Sequence, residues 1–433
     1  MANKRQASGS GALNKDLILS LYLPGIMLSL GLGIVLPVLP AYAKSFDISF
    51  ATASLALILH GYGSFAATLP VGYFLDRLGR KPVLLAGPVI TAASAFLTAF
   101  LPFTGSFEEL LVYRFIGGAA EQMWMQARLA IITDAGSDDQ RGKLITWMMS
   151  TQRFGMLFAP AIGGFAAGID IRAPFIIQGT LVLIALLPSF KLVKETAPPK
   201  KQRTAAAQSG DWSYVFSELL KPQVLFFLAA QLCANLTRGS IQHIIILYAA
   251  FAYDKGPQAL GLMAAAHSAI VLPLGFMTGY IMDRWGRKRT IVPGFTGLFF
   301  AGMFLASTAV FDASFGVFLI GYFALHISQG ITAGNMQVLG SDLSPVRARG
   351  RFFGIWRLIG QLGNATSPVI FSTLAAVGYA ASFGFIGFSG LAVALIVGIK
   401  VKETIGRPNR APEPEPAPPP AGAAVADSEQ KPP

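Results

Sequence analysis

Apolar stretches of about twenty residues or more alternate with short polar breaks along most of the chain. A helix that crosses a bilayer needs roughly 20 predominantly apolar residues. Buried helices of a large soluble enzyme are the alternative, but they would need long amphipathic helices to cover them, and the sequence has none of that length. The pattern therefore predicts twelve membrane-spanning helices, named spans 1 to 12, at 17–41, 50–74, 83–104, 109–133, 143–168, 172–190, 222–250, 258–281, 290–311, 313–340, 353–376 and 379–400.

The composition agrees with a membrane protein. Only 13% of the 433 residues are charged, and the mean hydropathy is +0.55. A soluble chain of this length would carry about a quarter charged residues. Span 1 is longer than the apolar core of a secretory signal, which has roughly 7–15 residues, so we expect it to be retained as a helix.

The basic residues fall mostly on one side of the predicted spans. Of the 34 Lys and Arg residues, 26 lie on the side that holds both termini, three on the other side and five within spans. Positive residues concentrate on the cytoplasmic side of membrane proteins. Both termini are therefore predicted to be cytoplasmic, and the net charge of +12 reflects topology instead of a nucleic-acid partner.

A charged ten-residue string occurs twice. GYFLDRLGRK follows span 2 at 72–81, and GYIMDRWGRK follows span 8 at 279–288. A second pair of strings, at 133–143 and 341–351, resemble each other and are separated by nearly the same number of residues as the first pair. The sequence therefore predicts an all-α membrane protein built from two pseudo-symmetric six-helix bundles. The predicted parts are a cytoplasmic N-terminus at 1–16, bundles at 17–190 and 222–405, a cytoplasmic linker at 191–221 and a disordered cytoplasmic tail at 406–433.

The repeated strings resemble the loop signature G-x-x-x-D-R-x-G-R-[KR] of the major facilitator superfamily, and the resemblance covers residues 15–403. The chain is most similar to the twelve-helix drug:proton antiporters. Three of its stretches resemble motifs of that group, namely LGLGIVLPVLP in span 1, LLVYRFIGGAA in span 4 and GMLFAPAIGG in span 5. It departs from those motifs at Gly117, Thr146 and Ala159. The resemblance implies a transporter whose two bundles rock around a central site lined by spans 1, 4, 7 and 10.

The resemblance also implies that the repeated strings form a gate on the cytoplasmic side. Asp76 would cap a helix of the opposite half, and Arg80 or Lys81 would pair with Asp134 at the end of span 4. Equivalent residues would repeat this in the second half, and the pairs would latch the cytoplasmic side and break when it opens. The alternative is that the charges only set topology. The predicted gate comprises Gly72, Asp76, Arg77, Gly79, Arg80, Lys81, Asp134, Arg141, Asp283, Arg284, Gly286, Arg287, Lys288, Asp342 and Arg349.

Five arginines and one glutamate lie inside the predicted spans, where charges are costly and usually face a cavity. Arg114, Glu121 and Arg128 are spaced by seven residues and therefore share one face of span 4. This positive interior favours an anionic or zwitterionic substrate. A fixed ion pair is the alternative for Arg128, and helix packing is the alternative for Arg153 and Arg357. The predicted substrate-binding residues are Arg114, Glu121, Arg128, Gln231, Asn235, Arg238, Gln242, His326, Gln329 and Arg357.

Titratable residues in the spans are candidates for carrying protons. His60 and His267 each precede a gate aspartate by sixteen residues, so they are related by the internal repeat. Histidine changes charge near neutral pH. We expect Glu121 to be the principal proton carrier, with His60, His267 and His326 as further candidates. The alternative for the repeated pair is that both histidines are packing residues inherited from the duplication.

Small residues in span 5 favour close helix contact and bending. By resemblance, this stretch seals the two halves when the protein faces the cytoplasm, and ordinary helix packing is the alternative. The residues are Gly155, Pro160, Gly163 and Gly164.

The sequence has no Walker-type loop, zinc-ligand spacing or nucleophile constellation, so we expect neither an enzyme nor a metal or other cofactor. It predicts a proton-coupled transporter that exports a small organic compound, anionic or amphipathic, by proton antiport. The alternatives are a proton symporter or exchanger that imports an anionic metabolite, and a transport-inactive membrane scaffold or sensor. The expected partners are a small-molecule substrate, protons and membrane lipids, with a monomeric protein in a bacterial inner membrane.

Overall fold

The computed structural model of the protein describes residues 18–101, 103–135, 141–193, 195–196, 212–344 and 349–404. Regular secondary structure in these residues is entirely helical. The predicted N-terminus and tail, and most of the predicted linker, lie outside the described residues, although the linker contributes a short helix, Trp212–Leu219. The spans lie at Ile18–Lys44, Phe50–Arg77, Arg80–Phe100, Phe107–Ala135, Arg141–Ile169, Ala173–Leu192, Pro222–Ala252, Pro257–Trp285, Lys288–Val310, Phe315–Leu343, Arg349–Ala375 and Tyr379–Lys400.

Within the described residues, nine of these spans are long and apolar enough to cross a membrane by length and composition. The other three are spans 4, 5 and 11. They carry five of the six charged residues predicted inside the membrane, at 114, 121, 128, 153 and 357. The least apolar helices are thus the ones that bring charge into the interior.

Several spans begin at residues that favour a helix start. Ser49 Oγ accepts a hydrogen bond from the backbone N–H of Thr52 at 3.2 Å, which caps span 2. Pro222 and Pro257 occupy the first positions of spans 7 and 8, where the missing N–H does no harm. Between these ends, the helical backbone satisfies its own polar groups, as a bilayer requires.

The two halves pack their spans in the same way. In the first half, span 2 packs on span 4, span 1 on span 5 and span 3 on span 6. In the second half, span 8 packs on span 10, span 7 on span 11 and span 9 on span 12. The predicted fold class, an all-α membrane protein of two pseudo-symmetric six-helix bundles, is confirmed.

Spans 1 and 10 are interrupted, although the apolar pattern predicts each of them as one continuous helix. Leu36 and Pro37 separate the helices Leu23–Val35 and Val38–Lys44, because a proline removes one backbone hydrogen bond and crowds the preceding turn. Span 10 ends its first helix at Ile331 and resumes at Asn335. Gly334 between them has φ of +78°, a conformation that glycine adopts easily.

The halves meet mainly at one end of the molecule. Both repeated strings follow an even-numbered span, so they share one end, called the decapeptide end. At the opposite end, one continuous apolar cluster joins residues of both halves, from Val38 and Phe50 to Tyr248 and Phe371. At the decapeptide end, a separate cluster that includes Leu75 belongs to the first half alone. The two halves are therefore packed against each other at the opposite end.

Candidate functional site

A carboxylate and an imidazole meet between spans 2 and 4. Glu121 Oε2 lies 3.2 Å from His60 Nε2, and both side chains are largely buried. Arg114, two turns earlier on span 4, donates from Nε to the carbonyl oxygen of Ala56 at 3.3 Å, and its positive charge acts on Glu121. Glu121 thus has two basic neighbours, and a proton can pass between the carboxylate and the imidazole without a large movement.

Two glycines set the distance between spans 2 and 4. A Cβ atom on Gly118 would lie 1.9 Å from His60 O, and a Cβ atom on Gly63 would lie 2.0 Å from Phe115 O. Any larger residue would force the two backbones apart. The glycines therefore hold His60 within reach of Glu121.

Arg128 is packed between spans instead of facing open space. Its side chain is only 2% exposed, and Nη2 donates to Met148 O at 3.3 Å and to Thr151 Oγ1 at 3.2 Å. A Cβ atom on Gly25 would lie 2.3 Å from the guanidinium carbon, so span 1 leaves room for this side chain. The predicted shared face therefore holds for Arg114 and Glu121, which contact span 2, whereas Arg128 ties span 4 to spans 1 and 5. Its role in substrate binding stays a prediction.

The second half places two histidines at the equivalent helix crossing. The rings of His267 on span 8 and His326 on span 10 have centroids 4.0 Å apart and are tilted by 34°. His326 Nδ1 lies 3.0 Å from Gln329 Oε1, and the hydroxyl of Tyr322 donates to Met263 O at 3.1 Å. An imidazole pair thus stands where the first half has an imidazole and a carboxylate.

The polar stripe predicted on span 7 divides between two neighbours. Gln231 and Asn235 face span 11, because a Cβ atom on Gly360 would lie 2.7 Å from Gln231 Nε2 and 3.3 Å from Asn235 Nδ2. Arg238 turns to span 10, where Nη2 donates to Thr332 O at 2.6 Å. The side chain of Gln242, the fourth member of the stripe, lies outside the described residues.

A cavity of about 510 Å³ separates the halves towards the decapeptide end. A site of this size accommodates a small organic molecule. Its walls are mostly apolar, and Arg357 is the charged residue that lines it among those described. The lining comprises Thr68, Leu69, Leu75, Gln126, Leu129 and Ala130 from spans 2 and 4, and Gly354, Ile355, Arg357, Leu358 and Gln361 from span 11.

The repeated strings build matching ion pairs within each half. Arg80 Nε lies 2.5 Å from Asp134 Oδ2. Arg287 Nε lies 3.3 Å from Asp342 Oδ2, and its Nη1 lies 3.3 Å from Asp283 Oδ1. Each of the two interspan pairs joins the start of one span to the end of the next span in the same half. The predicted pairings of Arg80 with Asp134 and of Arg287 with Asp342 are thus present, and their role as a latch that breaks on opening stays a prediction.

The capping of a helix in the opposite half by Asp76 stays a prediction. The other basic side chains of the repeats bind nearby groups of their own half. Arg77 donates to the Tyr73 hydroxyl, Arg284 to the Tyr280 hydroxyl at 2.7 Å, Lys288 Nζ to Gly398 O at 2.9 Å, and Lys81 Nζ lies 5.6 Å from the Phe190 ring centroid. A Cβ atom on Gly72 or Gly279 would meet nothing within 4 Å. The side chains of Arg141 and Arg349 lie outside the described residues.

Sequence reasoning missed two glutamates that complete this end. Glu195 accepts hydrogen bonds from the backbone N–H groups of Arg80 and Lys81 at 2.9 and 3.0 Å. Glu403 accepts the equivalent bonds from Arg287 and Lys288, both at 3.0 Å. A carboxylate there stabilises the positive helix start. The signal was present in the sequence, because VKET occurs at 193–196 and again at 401–404.

The capping carboxylates also explain two glycines of the repeats. Gly79 and Gly286 both have φ of +105°, which favours glycine at each position. A Cβ atom on Gly79 would lie 2.5 Å from Glu195 Oε2, and one on Gly286 would lie 2.8 Å from Glu403 Oε2. Both the turn and the approach of the carboxylate therefore require glycine.

The small residues of span 5 bring its backbone against two neighbours. A Cβ atom on Gly155 would lie 2.6 Å from Ile26 O, and one on Gly163 would lie 1.9 Å from Ile34 O. Both residues thus pack on span 1 of the same half. Ala159, which departs from the antiporter motif, faces Gly33 on span 1, where a Cβ atom would lie 2.6 Å from that of Ala159.

Span 5 also crosses into the other half. A Cβ atom on Gly164 would lie 2.6 Å from Pro257 O, and one on Gly261 would lie 2.5 Å from Pro160 O. Spans 5 and 8 therefore touch backbone to backbone near the opposite end. Span 5 thus makes a close crossing within its own half through Gly155 and Gly163, and a close crossing between the halves through Pro160 and Gly164.

Two helical bundles related by an internal repeat, with buried charges and a cavity between them, define the fold of a secondary transporter. The model of the Major Facilitator Superfamily matches residues 21–254 and 227–429. The chain therefore belongs to the Major Facilitator Superfamily, and it is an integral membrane protein.

The chain is similar to bacterial resistance proteins. It is 28% identical over 264 residues to the quinolone resistance protein NorA of Staphylococcus aureus (strain MRSA252), which covers 58% of this chain and 62% of that protein. It is 22% identical over 266 residues to multidrug resistance protein 2 of Bacillus subtilis (strain 168), covering 60% of this chain and 66% of that protein. The chain thus matches less than two thirds of the length of these curated relatives. The predicted resemblance to the drug:proton antiporter group is confirmed.

Solved structures share the fold. A crystal structure of a D-xylose-proton symporter matches with a TM-score of 0.73 and 18% identity, covering 90% of this chain and 98% of that one. The xylose transporter XylE from E. coli, in a partially occluded inward open conformation, matches with a TM-score of 0.70 and 18% identity, covering 89% and 98%. At this identity the likeness establishes the fold alone.

Proposed function

We propose that this transporter exports a small organic compound, anionic or amphipathic, in exchange for protons. The observation that carries the proposal is the contact between Glu121 and His60. A carboxylate and an imidazole buried between two spans form a group that can gain and lose a proton inside the membrane. The similarity to quinolone and multidrug resistance proteins supports export as the direction.

The topology supports the same direction. The distribution of Lys and Arg supports cytoplasmic termini, so the decapeptide end faces the cytoplasm in this proposal. The cavity beside Arg357 is then reached from inside the cell. A compound could enter there and leave on the other side once the two bundles have rocked.

The charges support an anionic or amphipathic substrate. Arg357 lines the cavity together with the uncharged polar residues Thr68, Gln126 and Gln361. A positive group on apolar walls favours a compound with one negative group and an apolar body. The same features would suit a symporter that imports an anionic metabolite, and the direction of proton movement separates the two.

The test uses purified protein in liposomes that contain a pH-sensitive dye. Matched panels of organic anions and organic cations are added, and substrate-triggered proton movement is followed in the wild type and in Glu121→Gln. We expect protons to move against the substrate in the wild type, with at least a tenfold slower response in the variant, because an amide cannot take up the proton. Proton movement with the substrate would favour the symporter. An unchanged response in Glu121→Gln would exclude Glu121 as the carrier.

A further inference from the structure

A second, smaller cavity lies within the first half, between spans 1, 2, 3, 4 and 6. Its volume is about 20 Å³, and most of the side chains that line it are polar. The polar lining residues are His60, Thr91, Ser94, Thr98, Arg114 and Gln178. A site that holds one water molecule needs roughly 10–15 Å³ and two to four polar partners. This space, called the polar cavity, therefore has the size and the lining of a buried water site.

The polar cavity and the cavity between the halves lie on opposite sides of Glu121 along span 4. Gly117 lines the polar cavity, and Gln126 lines the cavity between the halves. Glu121 lies about 6 Å along the helix axis from Gly117 and about 7.5 Å from Gln126. His60, which contacts Glu121, also lines the polar cavity, whereas spans 1, 3 and 6 contribute only uncharged side chains to it. The polar cavity thus adjoins Glu121 and His60 on the side towards the opposite end.

Two polar side chains of the polar cavity are buried without a partner in the protein. Gln178 of span 6 is 5% exposed, and Thr98 of span 3 is 2% exposed. Neither side chain makes a hydrogen bond to another of the described residues. Buried polar groups in proteins are nearly always bound by other protein groups or by ordered water. The amide of Gln178 and the hydroxyl of Thr98 therefore point to a small polar ligand in this cavity.

The lining offers both donors and acceptors, which decides between water and an anion. Arg114 uses only Nε in a described hydrogen bond, so its other N–H groups remain as donors. Thr91 and Ser94 donate their hydroxyl protons to backbone carbonyls of spans 3 and 4 at 2.9 and 2.6 Å, so their oxygens can only accept. These lone pairs repel an anion, whereas a water molecule can accept from Arg114 and donate to the hydroxyl oxygens. The polar cavity therefore suits water.

We propose that the polar cavity holds water that carries protons to Glu121 through His60. The inference rests on the proposed function and names the route by which its proton carrier is loaded. A hydronium ion in the polar cavity gives a proton to the imidazole and becomes water. The imidazolium passes a proton from Nε2 to Oε2 of Glu121, which restores the imidazole and leaves a neutral carboxyl group. Protons then approach from the side of the opposite end, and a compound approaches from the cavity between the halves.

The test follows the protonation of Glu121 in purified full-length protein by infrared difference spectroscopy after a pH jump from 8 to 5.5. The carboxyl band of Glu121 is the one that Glu121→Gln lacks, and exchange into heavy-oxygen water identifies the bands of bound water. The test variants are Gln178→Leu and Thr98→Val, singly and together, because neither change removes a described side-chain hydrogen bond. Thr180→Val is the matched control, since Thr180 is an exposed threonine of span 6 outside the polar cavity.

We expect the wild type and Thr180→Val to show the bound-water band and to protonate Glu121 at rates within twofold of each other. The double variant should lose this band and protonate Glu121 more than tenfold more slowly, because an apolar cavity does not solvate a proton. Thr98→Val keeps the shape of its side chain, so it tests the route even where Gln178→Leu fails to fold.

Three results would overturn the route. An unchanged rate in the double variant would mean that protons reach Glu121 directly from the cavity between the halves. A wild type without the bound-water band would mean that the polar cavity holds no ordered water. An equal slowing in Thr180→Val would mean that the effect does not arise in the polar cavity.

Proton movement in the liposome assay separates this inference from the proposed function. If a compound of the panels drives proton movement and the double variant protonates Glu121 as fast as the wild type, the proposed function stands and the water route fails. If the double variant slows the protonation of Glu121 but no compound of the panels moves protons in the wild type, the water route stands and proton-coupled export fails.

Discussion

Three of the interior arginines reach different neighbours. Arg114 donates to a backbone carbonyl of span 2, Arg128 donates to a backbone carbonyl and a hydroxyl of span 5, and Arg238 donates to unwound backbone of span 10. The sequence predicted six charged residues inside the membrane, but it could not distinguish these cases. The distinction depends on which neighbour a side chain reaches, and that neighbour is distant in sequence.

The crossing of spans 2 and 4 gives the first prediction. Gly118→Ala should lower the free energy of unfolding by about 1–3 kcal/mol, as overpacking in a core does, because the new methyl group would lie 1.9 Å from His60 O. Thermal unfolding of the purified protein measures this. Gly61→Ala is the matched control, since a Cβ atom there meets nothing within 4 Å. Equal stability of both variants would contradict the close crossing.

The repeated loops act as joints between elements. In the first half, Glu195 caps the start of span 3, and Asp134 at the end of span 4 pairs with Arg80. In the second half, Glu403 caps the start of span 9, and Asp342 at the end of span 10 pairs with Arg287. Thr196 and Thr404 donate to these aspartates, Asp134 and Asp342, at 3.1 and 2.7 Å. Three spans of each half are thus tied into one rigid group, which suits bundles that move as bodies.

Removal of one cap tests this joint. Glu403→Ala should lower the free energy of unfolding by about 1–2 kcal/mol, the usual effect of losing a helix cap, because two backbone N–H groups of span 9 lose their acceptor. Thermal unfolding with Lys402→Ala as the control measures it, since Lys402 is an exposed residue of the same repeat. A loss of similar size in Lys402→Ala would show that the effect is not the cap.

The helices could be predicted from the sequence more fully than their irregularities. Long apolar runs predict the spans because a bilayer excludes unpaired backbone, and the repeated string revealed the two halves. The break in span 10 was missed, because Gly334 is one of many glycines in an apolar run and its left-handed φ depends on tertiary contacts. For the same reason Arg238 was predicted in a stripe with Gln231 and Asn235, although these residues face another span.

At the scale of the whole molecule, an ion pair joins the halves at the opposite end. Lys44 of the first half binds Asp254 of the second half, and Lys44 Nζ also donates to Ala250 O at 3.2 Å. The hydrogen bond and charge of Lys44 hold the pKa of Asp254 below its usual value. A lowered pKa means that the pair stabilises closure above the ordinary aspartate pKa of about 3.9 and is lost only as the pH falls further.

This pair should therefore lock the opposite end without sensing physiological pH. With Cys233→Ser and Ala53→Cys as the background, Asp254→Asn should raise the rate of labelling by a thiol reagent about two- to fivefold, the small effect of an exposed pair. Ala53 is 1% exposed in the closed end. The increase should be the same at pH 5.5 and pH 8, with Lys255→Gln as the control. An increase at one pH only would contradict this assignment.

We propose that proton exchange at Glu121 drives the two bundles to open alternately at their two ends. Spin-label distances measure this most directly. In a Cys233→Ser background, one pair of labels is placed at Leu78 and Trp285 at the decapeptide end, and another at Phe103 and Phe311 at the opposite end. These residues are exposed; Leu78 and Trp285 occupy equivalent positions of the repeat, and Phe103 and Phe311 both follow the third span of their half.

A pH step between 8 and 5.5 should shift the two distance distributions in opposite directions, one end closing as the other opens. In Glu121→Gln, both distributions should stay at a single setting across this range. Distances that stay unchanged with pH in the wild type, change in the same direction at both ends, or respond equally in Glu121→Gln would contradict proton-driven alternation of the two ends.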